Sequence, residues 1–322
     1  MTDRATAGAA ADHPDIDLAE LDRGPAARQR TMAAIRSAFE DVGYFYAANF
    51  GPSQASVDAV FEQARRFHDL PDDHKRSAFQ DADGSQRGWI PLGTEPAYEP
   101  GTVSRCESFD LAMDLPAESS TKFGGLGANV WPADLPGFQE TVYGWYLEAR
   151  AAARRLFVAF AEMYELEHDA FARYESERAS SMMRLLRYPS REVEHRGLNV
   201  VGISAHTDYE AFTLMAQTAP GLELRTRNGT WIEPPVVQDR FVVIVGDMLE
   251  RLTNGALQAT RHRVRDTEWE RLSLILFNAF DADAVIEPLP EFCGPDSPPR
   301  YAPTTQVDHI DAEVSAAVAN RS

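Results

Sequence analysis

A chain of 322 residues that is 44% hydrophobic is long enough to bury a sizeable core, as one large domain or two small ones. Its formal net charge of -19 excludes the cationic surface that phosphate backbones and anionic membranes require, so neither is expected as a partner. No apolar run is long enough to span a bilayer, and two cysteines, Cys106 and Cys293, supply neither a disulfide framework nor a Cys-based zinc cluster; a cytoplasmic protein is expected, one that holds any metal through His and carboxylate.

Residues 1–14 are small and polar, with Asp3 and Asp12 in place of an apolar signal core, and are expected to form a disordered leader. A short strand is expected over 15–18. Ala33, Ile35, Phe39 and Val42 recur at helical spacing and predict a helix over 26–42, stopped by Gly43. A buried strand over 44–48 comes next, then a helix over 54–70 with Val57, Val60, Phe61, Ala64 and Phe67 on one face. The stretch 80–135 reads as loops, with Gly88, Gly93, Pro96, Pro100 and the pair Gly124-Gly125, and one strand over 107–111. A long helix is predicted over 137–164. Beyond it short runs of Val, Ile, Leu and Phe alternate with turn residues: 183–188, 212–217, 222–225, 241–245, 262–264 and 272–280. The fold class expected is α+β with a mainly β core, a double-sheet barrel with helices packed outside it, and no linker divides the chain.

Two histidines and one carboxylate form the facial triad that holds iron(II) while leaving positions open for a co-substrate and dioxygen. The pattern H-x-D occurs three times, at His13-Pro14-Asp15, His206-Thr207-Asp208 and His309-Ile310-Asp311, so context must choose. His309 has no histidine after it. His13 precedes His68, but lies in the leader while His68 ends an amphipathic helix. Only His206 and Asp208 precede a strand-borne histidine, His262, in the barrel half. Arg271-Leu272-Ser273 then opens the most apolar strand, where alternation puts Arg271, Ser273, Ile275 and Phe277 on one face and Leu272, Leu274 and Leu276 on the other. A guanidinium buried there requires an anion. A bidentate carboxylate, flanked by the Ser273 hydroxyl, satisfies it, and a small dicarboxylate chelating iron at its other end connects the two motifs.

These residues resemble those of the isopenicillin N synthase-like group of iron(II)- and 2-oxoglutarate-dependent oxygenases. The similarity runs through Gly202-Ile203-Ser204-Ala205-His206-Thr207-Asp208-Tyr209, Gly221-Leu222-Glu223-Leu224, Gly246-Asp247-Met248-Leu249, Thr253-Asn254-Gly255, His262-Arg263-Val264 and Arg271-Leu272-Ser273. In the N-terminal half it runs through Ile16-Asp17-Leu18, Gly43-Tyr44-Phe45-Tyr46, Arg66-Phe67, Leu70-Pro71, Arg87-Gly88-Trp89 and Glu107-Ser108-Phe109-Asp110. The resemblance covers 15–305 and implies a double-stranded β-helix, a distorted jelly-roll barrel with flanking N-terminal helices and the metal inside one mouth. On this reading 15–322 is a single oxygenase domain: an N-terminal region (15–135), helical support (136–180), the barrel core (181–285) and a C-terminal tail or lid (286–322). The resemblance also implies decarboxylation of 2-oxoglutarate to succinate coupled to oxidation of an unactivated C–H bond by dioxygen. Because Asp208 is present, hydroxylation is favoured over halogenation.

Tyr188 matches a family tyrosine near the iron and joins Arg271 and Ser273 as a candidate for the co-substrate site. At Leu186 the family often carries Asn, so that contribution to the co-substrate is missing. Arg184 shares a face with Tyr188 and is a candidate reader of a substrate carboxylate, against a structural salt bridge. Glu95 is a candidate for a polar substrate, against a solvated loop acid. Tyr209 and Phe212 are candidates to line the pocket, Phe212 equally for core packing. His74, His168 and His195 read as surface residues, and neither cysteine as activated. A small molecule is expected as substrate, natural-product or amino-acid-derived if the near-absence of Lys reflects a GC-rich bacterium, and a monomer is the default. Two alternatives are an oxidase that uses no 2-oxoglutarate and a non-catalytic sensor on the same barrel.

Overall fold

The computed structural model describes residues 13–79, 87–114, 128–191 and 199–320. Most of the expected leader, His195 and the Gly124-Gly125 pair lie outside the described residues. Two leader residues are inside them: the Pro14 carbonyl accepts from the Tyr46 amide at 2.7 Å, and His13 reaches the Tyr44 hydroxyl. Both residues, expected in the leader, are therefore held against the 44–48 strand.

In chain order the elements are β1 (Asp15–Asp17), α1 (Pro25–Ser37), β2 (Tyr44–Ala48), α2 (Gln54–His68), α3 (Asp72–Lys75), β3 (Gly88–Ile90), β4 (Thr102–Ser104), β5 (Glu107–Ala112) and α4 (Phe138–Glu162). They continue with β6 (Met182–Tyr188), β7 (Asn199–Val201), β8 (Ile203–His206), β9 (Phe212–Gln217), β10 (Leu222–Arg225), β11 (Trp231–Ile232), β12 (Phe241–Val245) and α5 (Asp247–Leu252). The last are β13 (His262–Val264), β14 (Arg271–Asn278), β15 (Val285–Ile286), β16 (Thr304–Thr305) and α6 (Gln306–Ala319). The first expected helix loosens after Ser37 into a π-type turn (Ala38–Val42) and stops at Gly43, whose φ of 108° is open to glycine without strain.

Eight strands form the main sheet in the order β1-β2-β12-β9-β14-β6-β5-β3, and β11-β10-β13-β8 form a smaller one. Period-two alternation divides the main sheet between two cores. Leu185, Leu214, Val243 and Leu274 face outward and pack with Phe39, Phe157 and Phe160 of the helical layer. Leu186, Met215, Val242 and Ile244 face inward and pack with Ile203, Leu222, Leu224 and Val264 of the smaller sheet. This is the expected jelly-roll: two sheets enclosing a chamber, with α1, α2 and α4 outside.

Two strands of the loop-rich region carry no signal in the sequence. Pairing across the chain makes them: β3 lies antiparallel to β5, and β4 lies parallel to β7, almost a hundred residues on. At the other end, α6 lies within the expected tail or lid. Its apolar positions Val307, Ile310, Val314 and Ala317 keep helical spacing, and Thr305 caps it by accepting from the Asp308 amide at 3.1 Å. Among the described residues no helix is long and apolar enough to cross a membrane.

Candidate active site

A cavity of about 450 Å3 occupies the chamber, lined by both sheets, the 91–98 loop and one face of α6. His206 ends β8 and pairs in register with His262 of β13, which brings the two rings to a centroid separation of 4.3 Å. Asp208 lies just past β8 and turns back, so that its Oδ1 lies 3.8 Å from His206 Nε2 and 3.5 Å from His262 Nε2. Among the described residues, only these three form a group of His, Cys or acidic side chains able to hold a metal ion.

Each ligand atom is oriented from behind. His206 Nδ1 meets the Ser204 carbonyl at 2.8 Å and His262 Nδ1 the Thr260 carbonyl at 3.1 Å, which leaves both Nε2 atoms facing inward as acceptors. Thr213 of β9 donates its hydroxyl to Asp208 Oδ2, and the Asp208 carbonyl accepts from the Asp247 amide at 2.9 Å. Tyr98 stacks on the His206 ring at 4.4 Å. Burial, reinforced by His262 alongside, pushes the His206 imidazole down to about 3, so it is neutral and able to ligate. Three ligands on one side of an open cavity fit a divalent ion that keeps vacant positions.

Arg271 and Ser273 open onto the same cavity, and Arg271 is only 2% exposed. Its Nη2 donates to Gln217 Oε1 at 2.8 Å, and its guanidinium lies over the Tyr188 ring, 4.8 Å from the centroid. Nε and Nη1 of Arg271 and the Ser273 hydroxyl are buried without a hydrogen-bond partner. Burial lowers the Arg271 guanidinium below its usual range. A carboxylate fits this cradle of unused donors.

Arg184, Glu95 and Tyr209 also line the cavity, but Arg184 is not free to read a substrate carboxylate. It faces Asp110 across the β5–β6 register, donating Nε to Asp110 Oδ1 at 2.9 Å and Nη2 to Oδ2 at 2.6 Å. Nη1 donates to Glu95 Oε1 at 2.9 Å, which also accepts from the Tyr98 hydroxyl. Glu95, expected either at the substrate or as a solvated loop acid, is 3% exposed. Phe212 does not line the cavity: its β9 position points outward, where it packs on Phe157 and Phe160 at 4.9 and 5.2 Å. Thr213, Met215 and Gln217 take the inward positions instead.

The rejected histidines are occupied elsewhere. His68 Nδ1 lies 3.2 Å from Glu107 Oε2, and His309 Nε2 lies 2.8 Å from Asp247 Oδ2. His74 and His168 have exposed side chains. Both cysteines are free, and burial raises the Cys106 thiol well above its usual range. Sequence reasoning misses Glu210, which is 7% exposed, lines the cavity, and is pushed up to about 8 by burial beside Asp208. The Thr213 and Gln217 contacts have a sequence signal in β9 alternation; the Asp110–Arg184 pairing has none, because register across β5 and β6 is not written locally.

Residues 14–134 match the family described as "non-haem dioxygenase in morphine synthesis N-terminal", and residues 179–279 match the "2OG-Fe(II) oxygenase superfamily". Kihadalactone A synthase LFS of Citrus sinensis is 31% identical over 310 residues, covering 92% of this chain and 89% of that protein. The 2-oxoglutarate-dependent dioxygenase ecdK of Aspergillus rugulosus is 33% identical over 271 residues, covering 77% and 79%. A 2OG-Fe(II) oxygenase family protein of Caulobacter crescentus superimposes with a TM-score of 0.81 at 28% identity, covering 95% of this chain and 99% of that one. With a triad able to hold a divalent metal and a set of buried donors that fits a carboxylate in one jelly-roll chamber, this chain belongs to the 2OG-Fe(II) oxygenase superfamily and is an iron(II)- and 2-oxoglutarate-dependent dioxygenase.

Proposed function

We propose that His206, Asp208 and His262 hold the iron, that Arg271 and Ser273 receive the far carboxylate of 2-oxoglutarate with Tyr188 packed on the guanidinium, and that the enzyme hydroxylates a small organic molecule. The observation that carries this reading is the pair of unused Arg271 donors and the unused Ser273 hydroxyl, buried in the cavity that holds the triad. Iron(II) bound there with 2-oxoglutarate supplies activation of dioxygen for C–H oxidation, the keto acid leaving as succinate and carbon dioxide.

The side chains set the conditions for that chemistry. Thr213 fixes one Asp208 oxygen so that the other faces the histidines, and the two carbonyl-anchored imidazoles turn their Nε2 atoms inward. Asp208 occupies the third ligand position and thereby favours hydroxylation over halogenation. Trp89, Met182, Ile275 and Phe277 keep the substrate end apolar and shed water from the reacting centre. We read 15–322 as one domain with its tail over the cavity. A cytoplasmic enzyme with no nucleic acid or anionic membrane partner accords with the acidic charge and free thiols, and a monomer is the default.

An anaerobic titration with iron(II) and 2-oxoglutarate, followed optically, tests the assignment. A visible metal-to-ligand charge-transfer band is expected, and Arg271→Ala or His262→Ala should abolish it. No band in the native protein refutes the co-substrate assignment. Succinate release driven by dioxygen separates this enzyme from an oxidase that uses no keto acid and from a non-catalytic sensor.

A further inference from the structure

We propose that the substrate carries a protonated amine or another cationic nitrogen, received by Glu95 and Glu210 on the cavity wall, with Arg184 and Asp110 positioning Glu95. The proposal rests on the iron and 2-oxoglutarate assignment above, because that assignment uses up the other charges of the chamber.

Iron(II) offsets Asp208 and one carboxylate of 2-oxoglutarate, and Arg271 offsets the other carboxylate. The loaded metal half is then balanced and attracts no anion. On the remaining wall Glu95 and Asp110, 3% and 1% exposed, share the single guanidinium of Arg184. One buried carboxylate charge is left over. Such an excess is costly unless a cation meets it.

Glu95 is free to meet one. Its Oε1 takes the hydrogen bonds from Arg184 and Tyr98, and among the described residues no donor reaches its Oε2. Glu210 stands on the same wall, its carboxyl held by its own backbone amide. Its side chain lines the cavity, is more than nine-tenths buried, and has no hydrogen bond or ion pair to any other described side chain. Asp311, exposed on α6 at the edge of the same cavity, adds negative charge along the approach. No cation beyond Arg184 and Arg271 lines the chamber among the described residues. The rest of the wall is apolar, through Trp89, Met182, Ile275 and Phe277, so the cationic nitrogen belongs on an apolar body.

The test uses the iron(II) enzyme saturated with 2-oxoglutarate under anaerobic conditions, probed with matched skeletons in three charge forms. Suitable sets are 4-phenylbutylamine, 4-phenylbutanol and 4-phenylbutanoate, with tryptamine, tryptophol and indole-3-acetate as the second. The amine of at least one set should bind about tenfold or more tightly than its alcohol and acid, the size of one charge-assisted contact. Glu95→Gln and Glu210→Gln should each reduce that preference about fivefold or more, with the charge-transfer band unchanged. The inference is overturned if in neither set the amine binds more tightly than its alcohol and acid, if both amines fail to bind, or if the preference survives both variants. The band, read in each sample before the probe is added, separates the two failures: band present with no amine preference removes only this inference, and band absent removes the assignment beneath it.

Discussion

Replacing Arg271 with methionine separates a receptor for an anion from a structural cation, because the two roles predict opposite changes in stability. Burying a guanidinium costs several kcal/mol of hydration unless its donors are met. Here one hydrogen bond to Gln217 and the Tyr188 ring at 4.8 Å meet it in part, and Nε and Nη1 stay unpaired. The ring contact is worth about 2 kcal/mol at most and the hydrogen bond a similar amount. A methionine of similar length removes the unmet cation and keeps most of the packing, so the ligand-free protein should change by between about 0 and 2 kcal/mol in the stabilising direction. Losing a buried, hydrogen-bonded charge partner costs about 2–5 kcal/mol of ligand binding. The dissociation constant for 2-oxoglutarate then rises roughly 30-fold to several thousand-fold. Urea unfolding with and without 2-oxoglutarate, metal present, reads both effects. At a hundred times the native dissociation constant the native enzyme gains about 2.7 kcal/mol, and the variant should gain less than about 1. If Arg271→Met loses more than about 2 kcal/mol without ligand, or keeps the full gain with it, the cradle reading is wrong.

Thr213→Val removes the hydroxyl that fixes Asp208 Oδ2 and should weaken iron(II) binding about 10- to 100-fold while leaving the fold intact, as a metal titration paired with circular dichroism will show. Burial alone would raise the Glu107 carboxyl, but His68 and Lys75 outweigh it and hold the group down to about 2. Because the folded value lies below the unfolded 4.5, the contribution, on the order of 3 kcal/mol, is present above about pH 4.5 and drains away as pH falls toward 2. The stability gap between native protein and Glu107→Gln in urea should therefore close over that acid window, and a gap constant from pH 7 to 3 contradicts the pairing. His13→Ala, His68→Ala and His309→Ala should each retain stoichiometric iron(II) in an equilibrium metal titration; loss in any one of them means that the triad belongs to a different H-x-D.

Helices with a clear apolar face and strands rich in Val, Ile and Phe are legible because their periods are local. The strands over 44–48, 212–217, 222–225, 241–245 and 262–264 fall where expected. Strand β8, which carries His206, is not legible, since Ile203-Ser204-Ala205 has little intrinsic preference for extension and depends on pairing with β13. Tertiary pairing likewise buries Glu95, on a loop that reads as solvated. The spacing of Val307, Ile310 and Val314 does announce α6, with Thr305 as its cap, so a helix within the expected tail or lid is legible. Among three H-x-D sequences the downstream residues select one, and the structure brings together only the set that precedes His262 and Arg271. For Arg184 the structural salt bridge is the outcome, and its partner is not legible for a definable reason: alternation tells which way Arg184 points but not that Asp110 stands opposite.

Register is what holds the metal half and the co-substrate half in one chamber. On β14 the residues Arg271, Ser273, Ile275 and Phe277 face inward, opposite Tyr188, Leu186, Arg184 and Met182 of β6, while Leu272, Leu274 and Leu276 face the helices. On β9 the inward positions are Thr213 and Met215, and Thr213 carries the hydrogen bond to Asp208. Asp208 is thus tied to the main sheet, whereas both histidines stand on the smaller one, so the triad spans the gap between sheets. A one-residue slip of β14 would turn three leucines into the chamber and turn Arg271 out of it, toward the apolar layer beneath the helices. The cost of burying that cation in the wrong layer therefore helps to specify the pairing on which its function depends. On the proposed assignment the same side chain acts twice, penalising a shifted sheet during folding and receiving an anion afterwards.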